Sequence, residues 1–111
     1  MPVHKRSIQD RRANDARYRT LKDRLIAEWQ RDPQQPAPSG APDIVEETDA
    51  RDRVLHVVVT WDEWADLDAQ TRSEIIVDAF QAVKEPAAID DLALAMGLTS
   101  AEAGRLRVAR R

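Results

Sequence analysis

Two β-rich runs, Asp43–Thr48 and 53–61, stand on either side of the polar quartet 49–52, and this spacing predicts an antiparallel hairpin with a four-residue loop. A chain that commits its middle to a hairpin must cover one face of it. In the second run a period of two puts Leu55, Val57, Val59 and Trp61 on one side and Val54, His56, Val58 and Thr60 on the other. The first set is expected to face the core.

Helical patterns flank the hairpin. Over 7–31, Tyr18, Leu21, Leu25 and Trp29 recur at three- and four-residue steps, and Ser7 with Asp10 has capping-box spacing. After the hairpin, Asp68 is placed to cap a helix running to about Lys84, whose stripe of Ile75, Ile76, Ala79, Phe80 and Val83 suits the hairpin's apolar side. Pro86 marks its end. Thr99 and Glu102 form a second capping-box pair, opening a short last helix that contains Ala103 and Leu106 and ends in Arg105, Arg107, Arg110 and Arg111.

The segment 92–96 suits two readings. Leu92, Leu94 and Met96 alternate as in a strand, whereas Ile89, Leu92, Ala93 and Met96 suit a helix, and Gly97 is expected to break the element. The region 33–42, with four prolines and Gly40, reads as an extended, partly mobile linker. The expected organisation is a basic helix over 1–32, a Pro-rich linker over 33–42, and an α+β core over 43–111.

Charge is unevenly placed. Residues 1–32 carry nine Lys/Arg against five Asp/Glu, 43–91 carry four against fourteen, and the last twenty residues carry four against one. Nets of +4, −10 and +3 give the chain's −3, a basic arm and basic tail around an acidic centre. With no cysteine, the chain's own thiolates cannot supply disulfides, thiol nucleophiles, zinc ribbons or iron–sulfur ligation. No apolar run approaches the roughly 20 residues of a membrane span, and residues 1–10 lack a signal-peptide core, so a cytoplasmic, membrane-free protein is expected.

The order helix, hairpin, helix, strand, short helix is that of small KH-like α+β domains, and HVVVTWDEWADLDAQTRSEIIVDAF makes the likeness more specific. There the sequence resembles the BolA family, which shows a β run, an aromatic, a short acidic turn and a helix opening with Arg-His and an apolar pair. Trp64, Arg72, Ile75, Ile76 and Phe80 occupy those places. DIVEETDA is similar to the family's first strand, and DLALAMGLTSAEA to its third strand and the Thr-Pro-Glu-Glu that follows. About two-thirds of the chain is covered. The resemblance implies a BolA-like/KH-like sandwich in the order α-β-β-α-β-α, with a three-stranded sheet and helices on one face, and it favours a strand at 92–96.

The resemblance would also imply sharing an iron–sulfur cluster with a glutaredoxin. Ser73, however, stands where the family has a histidine, and the hairpin loop offers Asp49, Arg51 and Asp52 rather than cysteine or histidine. No cofactor is therefore expected.

Other chemistry is sparse. Asp62, Glu63, Asp66 and Asp68 crowd one turn without the alternating ligands and turn glycine of a calcium loop; a solvated acidic turn is the simpler reading, and no metal is expected. His56 has no paired nucleophile, the serines sit in no nucleophile elbow, and the three glycines form no phosphate loop and no GXXG clamp. The basic arm, with Arg11, Arg12, Arg17 and Arg19, suits an anionic partner surface or phosphates, with a solvated helix face as the alternative. Residues 89–111 can also be read as a helix-turn-helix with an Arg-rich second helix.

The expectation is a non-catalytic interaction module that docks a protein partner through the basic arm at Arg11, Arg12, Arg17 and Arg19, or through the acidic turn at Asp62, Glu63 and Asp66. The alternative is a nucleic-acid-binding regulator. An accessory subunit that lends a residue to a shared site is a third class.

Overall fold

The computed structural model describes residues 15–109. Helix α1 occupies Asp15–Gln30, strands β1 and β2 occupy Asp43–Thr48 and Val54–Thr60, and α2 runs over Ala69–Val83. Strand β3 spans Leu94–Leu98 and α3 spans Ser100–Ala109, giving the order α-β-β-α-β-α. Two short 3₁₀ turns, Asp62–Asp66 and Pro86–Asp91, join the sheet to α2 and α2 to β3.

The sheet is mixed, in the order β1-β2-β3. β1 and β2 pair antiparallel, with Val45 opposite Val58, and β3 lies parallel to β2, with Met96 opposite Val58 on the other side. A parallel return needs a crossover, which α2 supplies.

The core lies between helices and sheet. Val57, Val59 and Trp61 from the hairpin meet Ile75, Ile76, Ala79 and Phe80 from α2, with Leu21 and Leu25 from α1 completing the cluster. The helical stripes lie where their periodicity puts them, except that Val83 at the end of α2 is only half-buried and outside the cluster, and α1 is an integral wall of this core. Tyr18 and Trp29, the ends of its stripe, pack against the same cluster. Trp29 meets Phe80 edge-on at 6.1 Å.

Capping fixes the helix starts. The Asp68 carboxylate accepts from the Thr71 amide at 2.8 Å at the head of α2. At α3, Thr99 and Glu102 exchange the reciprocal bonds of a capping box: the Thr99 amide donates to Glu102 Oε1 at 2.8 Å, and the Glu102 amide donates to Thr99 Oγ1 at 3.2 Å. The Ser7–Asp10 pair lies outside the described residues.

Four local expectations need correction. The hairpin loop has five residues, 49–53, because Asp49 holds it as a unit. Its carboxylate accepts from the Arg51 and Arg53 amides and from Arg53 Nε, while Asp52 takes the left-handed conformation at φ 64°. Register shifts between Glu47 and Thr48, so the alternation breaks at Leu55, and Val54 packs against the core cluster at that end of β2. The third strand begins at Leu94, two residues later than 92–96 suggests, because the 3₁₀ turn extends to Asp91. Gly97 then lies inside β3 rather than ending it, for a reason found in its neighbours below.

The linker expected to be extended folds into turns. The Ala41 amide donates to Pro38 O at 3.1 Å, Gly40 takes φ 76°, and the Trp61 indole donates to Gly40 O at 3.0 Å. Pro42 is buried. The segment is thus tied to the core by the indole at the end of β2.

Phe80→Ala should destabilise the protein by about 3–5 kcal/mol, because Phe80 is fully enclosed between α1, α2 and the sheet. Urea denaturation followed by circular dichroism measures it, and an unchanged midpoint would place the core elsewhere.

Candidate functional site

Arg72 is the one charged residue among the described residues that is buried, 7 % exposed near the head of α2. Its guanidinium is spent on the fold. Nε donates to Leu67 O at 2.9 Å, and NH1 donates to Gly97 O at 3.0 Å and to Glu102 Oε1 at 2.7 Å. One side chain therefore joins the turn before α2, strand β3 and the cap of α3, and a buried charge so paired is hard to remove. Glu102 serves both Arg72 and the Thr99 amide. The backbone amide bond and then the guanidinium hold its carboxyl below the usual carboxylate range.

Trp64 packs beside Arg72. It is fully buried, its indole donates to Val59 O at 3.1 Å, and it stands edge-on to Trp61 with ring centroids 5.1 Å apart. Gly97 passes under both side chains. A Cβ there would lie 2.8 Å from Trp64 Nε1 and 2.9 Å from Arg72 Cβ, so the strand accepts glycine for close approach.

The acidic turn and the basic arm, expected as separate surfaces, meet each other. Arg17 donates to Glu63 O at 2.9 Å and to Asp66 Oδ1 at 2.8 Å. Arg24 lies 3.7 Å from Glu63 and stacks on the Trp61 ring at 4.8 Å. Asp62 turns the other way and accepts from the Ser100 amide at 2.8 Å and its hydroxyl at 3.2 Å, at the start of α3. Arg19 is exposed on α1 and is also engaged. Arg11 and Arg12 lie outside the described residues. Among the described residues, no group of three or more His, Asp or Glu is arranged to hold a metal ion.

His56 lies on the sheet face away from the helices, with Nδ1 2.9 Å from Glu47 Oε1 on the neighbouring strand. Ser73, on α2, donates from Oγ to Ala95 O at 2.6 Å. The imidazole and the hydroxyl are thus on opposite sides of the sheet, and the structure brings neither a nucleophile nor a base to the other.

Two features escaped sequence reasoning. The outer face of the sheet carries an apolar row across all three strands, Val45, Val58 and Met96, with Leu94 beside it; Val45 is 47 % and Leu94 40 % exposed. The alternation that places Val57 and Val59 inside puts Val58 outside, so the signal was an apolar residue on the solvent side. Second, Trp29 Nε1 and Lys84 Nζ converge on Glu46 Oε2 at 3.0 and 2.8 Å, pinning the inward side of β1 to both long helices. Glu46, Trp29 and Lys84 are too distant in sequence for spacing to reveal.

Comparison with known proteins returns no matching family model, curated protein or solved structure.

Gly97→Ala should cost about 1–3 kcal/mol, since the methyl group meets a tryptophan held by its own hydrogen bond and the stem of a buried arginine. Equilibrium urea unfolding tests this, and wild-type stability would refute the close approach. The depressed Glu102 carboxyl sets a direction with pH. A group whose folded pKa lies below its unfolded value adds stability above the unfolded range, near pH 4.3, and loses it as pH falls through the folded pKa. Glu102→Gln should therefore flatten the acid side of the stability–pH curve. Parallel curves for variant and wild type would contradict the assignment.

Proposed function

We propose that this chain is a non-catalytic protein-interaction module of BolA-like fold that docks a partner protein on the open side of its sheet. The observation that carries the proposal is the one-sided cover of that sheet by the described residues. Both long helices pack on the side bearing Val57 and Val59, whereas Val45, Val58, Met96 and Leu94 form a continuous apolar surface on the other side. A contiguous apolar patch with polar neighbours, here Glu47, His56 and Thr60, is the usual character of a protein-binding surface. The BolA-like part of the reading is supported by the element order and by the burial of Trp64, Arg72, Ile75, Ile76 and Phe80, the residues that carried the resemblance.

The alternative as a nucleic-acid-binding regulator draws less support. Its helix-turn-helix form requires a helix where Leu94–Leu98 is a strand. Its basic-arm form loses Arg17 and Arg24 to the acidic turn, and the carboxylates there would repel phosphates. No helix among the described residues is long and apolar enough to cross a membrane.

A photo-crosslinking side chain placed at Leu94 in source cells should give one discrete protein adduct, and the same side chain at Gln81, exposed on α2, should not. The isolated chain should bind DNA and RNA negligibly at low salt, where electrostatic association is least screened. Equal adducts from both positions, or tight salt-sensitive nucleic-acid binding, would displace the proposal.

A further inference from the structure

The two edges of the sheet are finished differently. Ala93 N–H donates to Leu55 O and Trp61 N–H to Leu98 O, both at 2.8 Å, so the odd-numbered residues of β2 turn their backbone toward β3 and the even-numbered toward β1. On β3 this directs Ala95 and Gly97 outward, and their carbonyls are taken by Ser73 Oγ and Arg72 NH1. That edge is occupied by α2.

On β1 the antiparallel register sets Asp43, Val45 and Glu47 opposite Thr60, Val58 and His56. Those residues bond to β2, and the Asp49 amide continues the series to Arg53 O. Ile44, Glu46 and Thr48 therefore present amide and carbonyl groups to the outer edge, where the described residues offer them no backbone partner. Unpaired edge groups are a template for another strand unless something blocks them.

A cleft of about 550 Å³ runs beside this edge, with Trp29, Arg31 and Pro33 on one wall and Asp43, Ile44 and Glu46 on the other. The Arg31 charge is offset within it by Glu28, which accepts from Nε at 3.1 Å and from NH2 at 2.9 Å. On the outer face of β1, Asp43 and Glu47 flank the exposed Val45.

From this edge we infer that β1 receives an added strand from a partner, an extended segment with a basic–apolar–basic pattern on the outer face and apolar residues toward Trp29. The inference deepens, and rests on, the reading of the chain as a protein-interaction module. Backbone bonds to Ile44, Glu46 and Thr48 supply affinity, and side chains at alternate positions supply selectivity. Cross-strand pairing sets the partner's two cations against Asp43 and Glu47 and its central apolar residue against Val45. Charge also decides against a second copy of the chain as the occupant. Antiparallel pairing of β1 with itself, centred on Val45, would bring Asp43 against the other copy's Glu47 twice over, like charges directly opposite.

The test uses the full chain and a blocked peptide, Thr-Lys-Ile-Val-Ile-Lys-Thr. Amide NMR should show it shifting Ile44, Glu46 and Thr48 and slowing hydrogen exchange at these positions. A peptide with Glu in place of both Lys should bind about tenfold more weakly. Methylating the alternate peptide nitrogens should abolish binding, since it removes the edge donors but keeps the charge. Thr48→Pro should weaken binding in the folded protein, because Thr48 is exposed and its amide faces the open edge, where proline is tolerated. Absence of binding, equal binding of the methylated peptide, or self-association of the chain through β1 would each overturn the inference. Crosslinking at Leu94 lies on the far strand and reads the module separately: a discrete adduct there alongside an inert peptide would sink the edge alone.

Discussion

The fold depends on one close approach, that of Gly97 to the Trp64 indole and the stem of Arg72. β3 must lie deep enough for α2 to close over it, and only a residue without a Cβ permits that depth. Once there, Gly97 offers its carbonyl to the guanidinium, which also holds Leu67 O and Glu102. Trp64 in turn fixes the end of β2 through Val59 O and stands edge-on to Trp61, whose own indole holds the linker at Gly40. The chain from linker to last helix is thus connected through two tryptophans, one arginine and one glycine. Burial of the arginine is tolerated because Nε and NH1 find three acceptors, and removing any of these partners leaves a charge or dipole unpaired at a largely buried site.

Charge follows from this frame. A basic helix and an acidic turn, read separately, suggest two partners; folded, they are each other's partners. Arg17 and Arg24 reach Glu63 and Asp66 because α1 packs across α2 and places its basic side beside the turn that follows β2. Exposed pairs of this kind contribute only about 0–1 kcal/mol each, so they set the orientation of α1 more than its stability, which comes from Leu21 and Leu25.

Much of the architecture is legible where neighbours in sequence are neighbours in space. The hairpin, the stripes of both long helices, the Asp68 cap and the Thr99–Glu102 box all arise from spacings of two to four residues. The order of elements follows because each run is long enough to show its period. Legibility fails where a distant residue decides. Gly97 looks like a breaker until Trp64 and Arg72 stand over it. Leu55 looks buried until a register shift brings Val54 to the core. The linker looks extended because proline and glycine forbid a helix, yet nothing local shows that the Trp61 indole will hold it. The binding surfaces were the least legible part. Charge drew attention to side chains that pair internally, while the apolar row is assembled from three strands and has no linear signature.

The asymmetry of the two sheet edges has a physical origin in the crossover. A parallel strand reached through a helix lies next to that helix, so the head of α2 is at hand to cover β3, and Ser73 and Arg72 stand within reach of its outward carbonyls. β1 has no such neighbour. It enters from a turn-rich segment and leaves through a tight loop, so among the described residues its outer backbone groups meet only the end of α1 across a cleft. Natural sheets commonly guard such an edge with charge, and β1 carries Asp43, Glu46 and Glu47 in six residues. Acidic guarding repels another acidic strand and leaves a basic one unopposed. The same carboxylates that keep two copies of this chain apart therefore select which foreign strand can join the sheet.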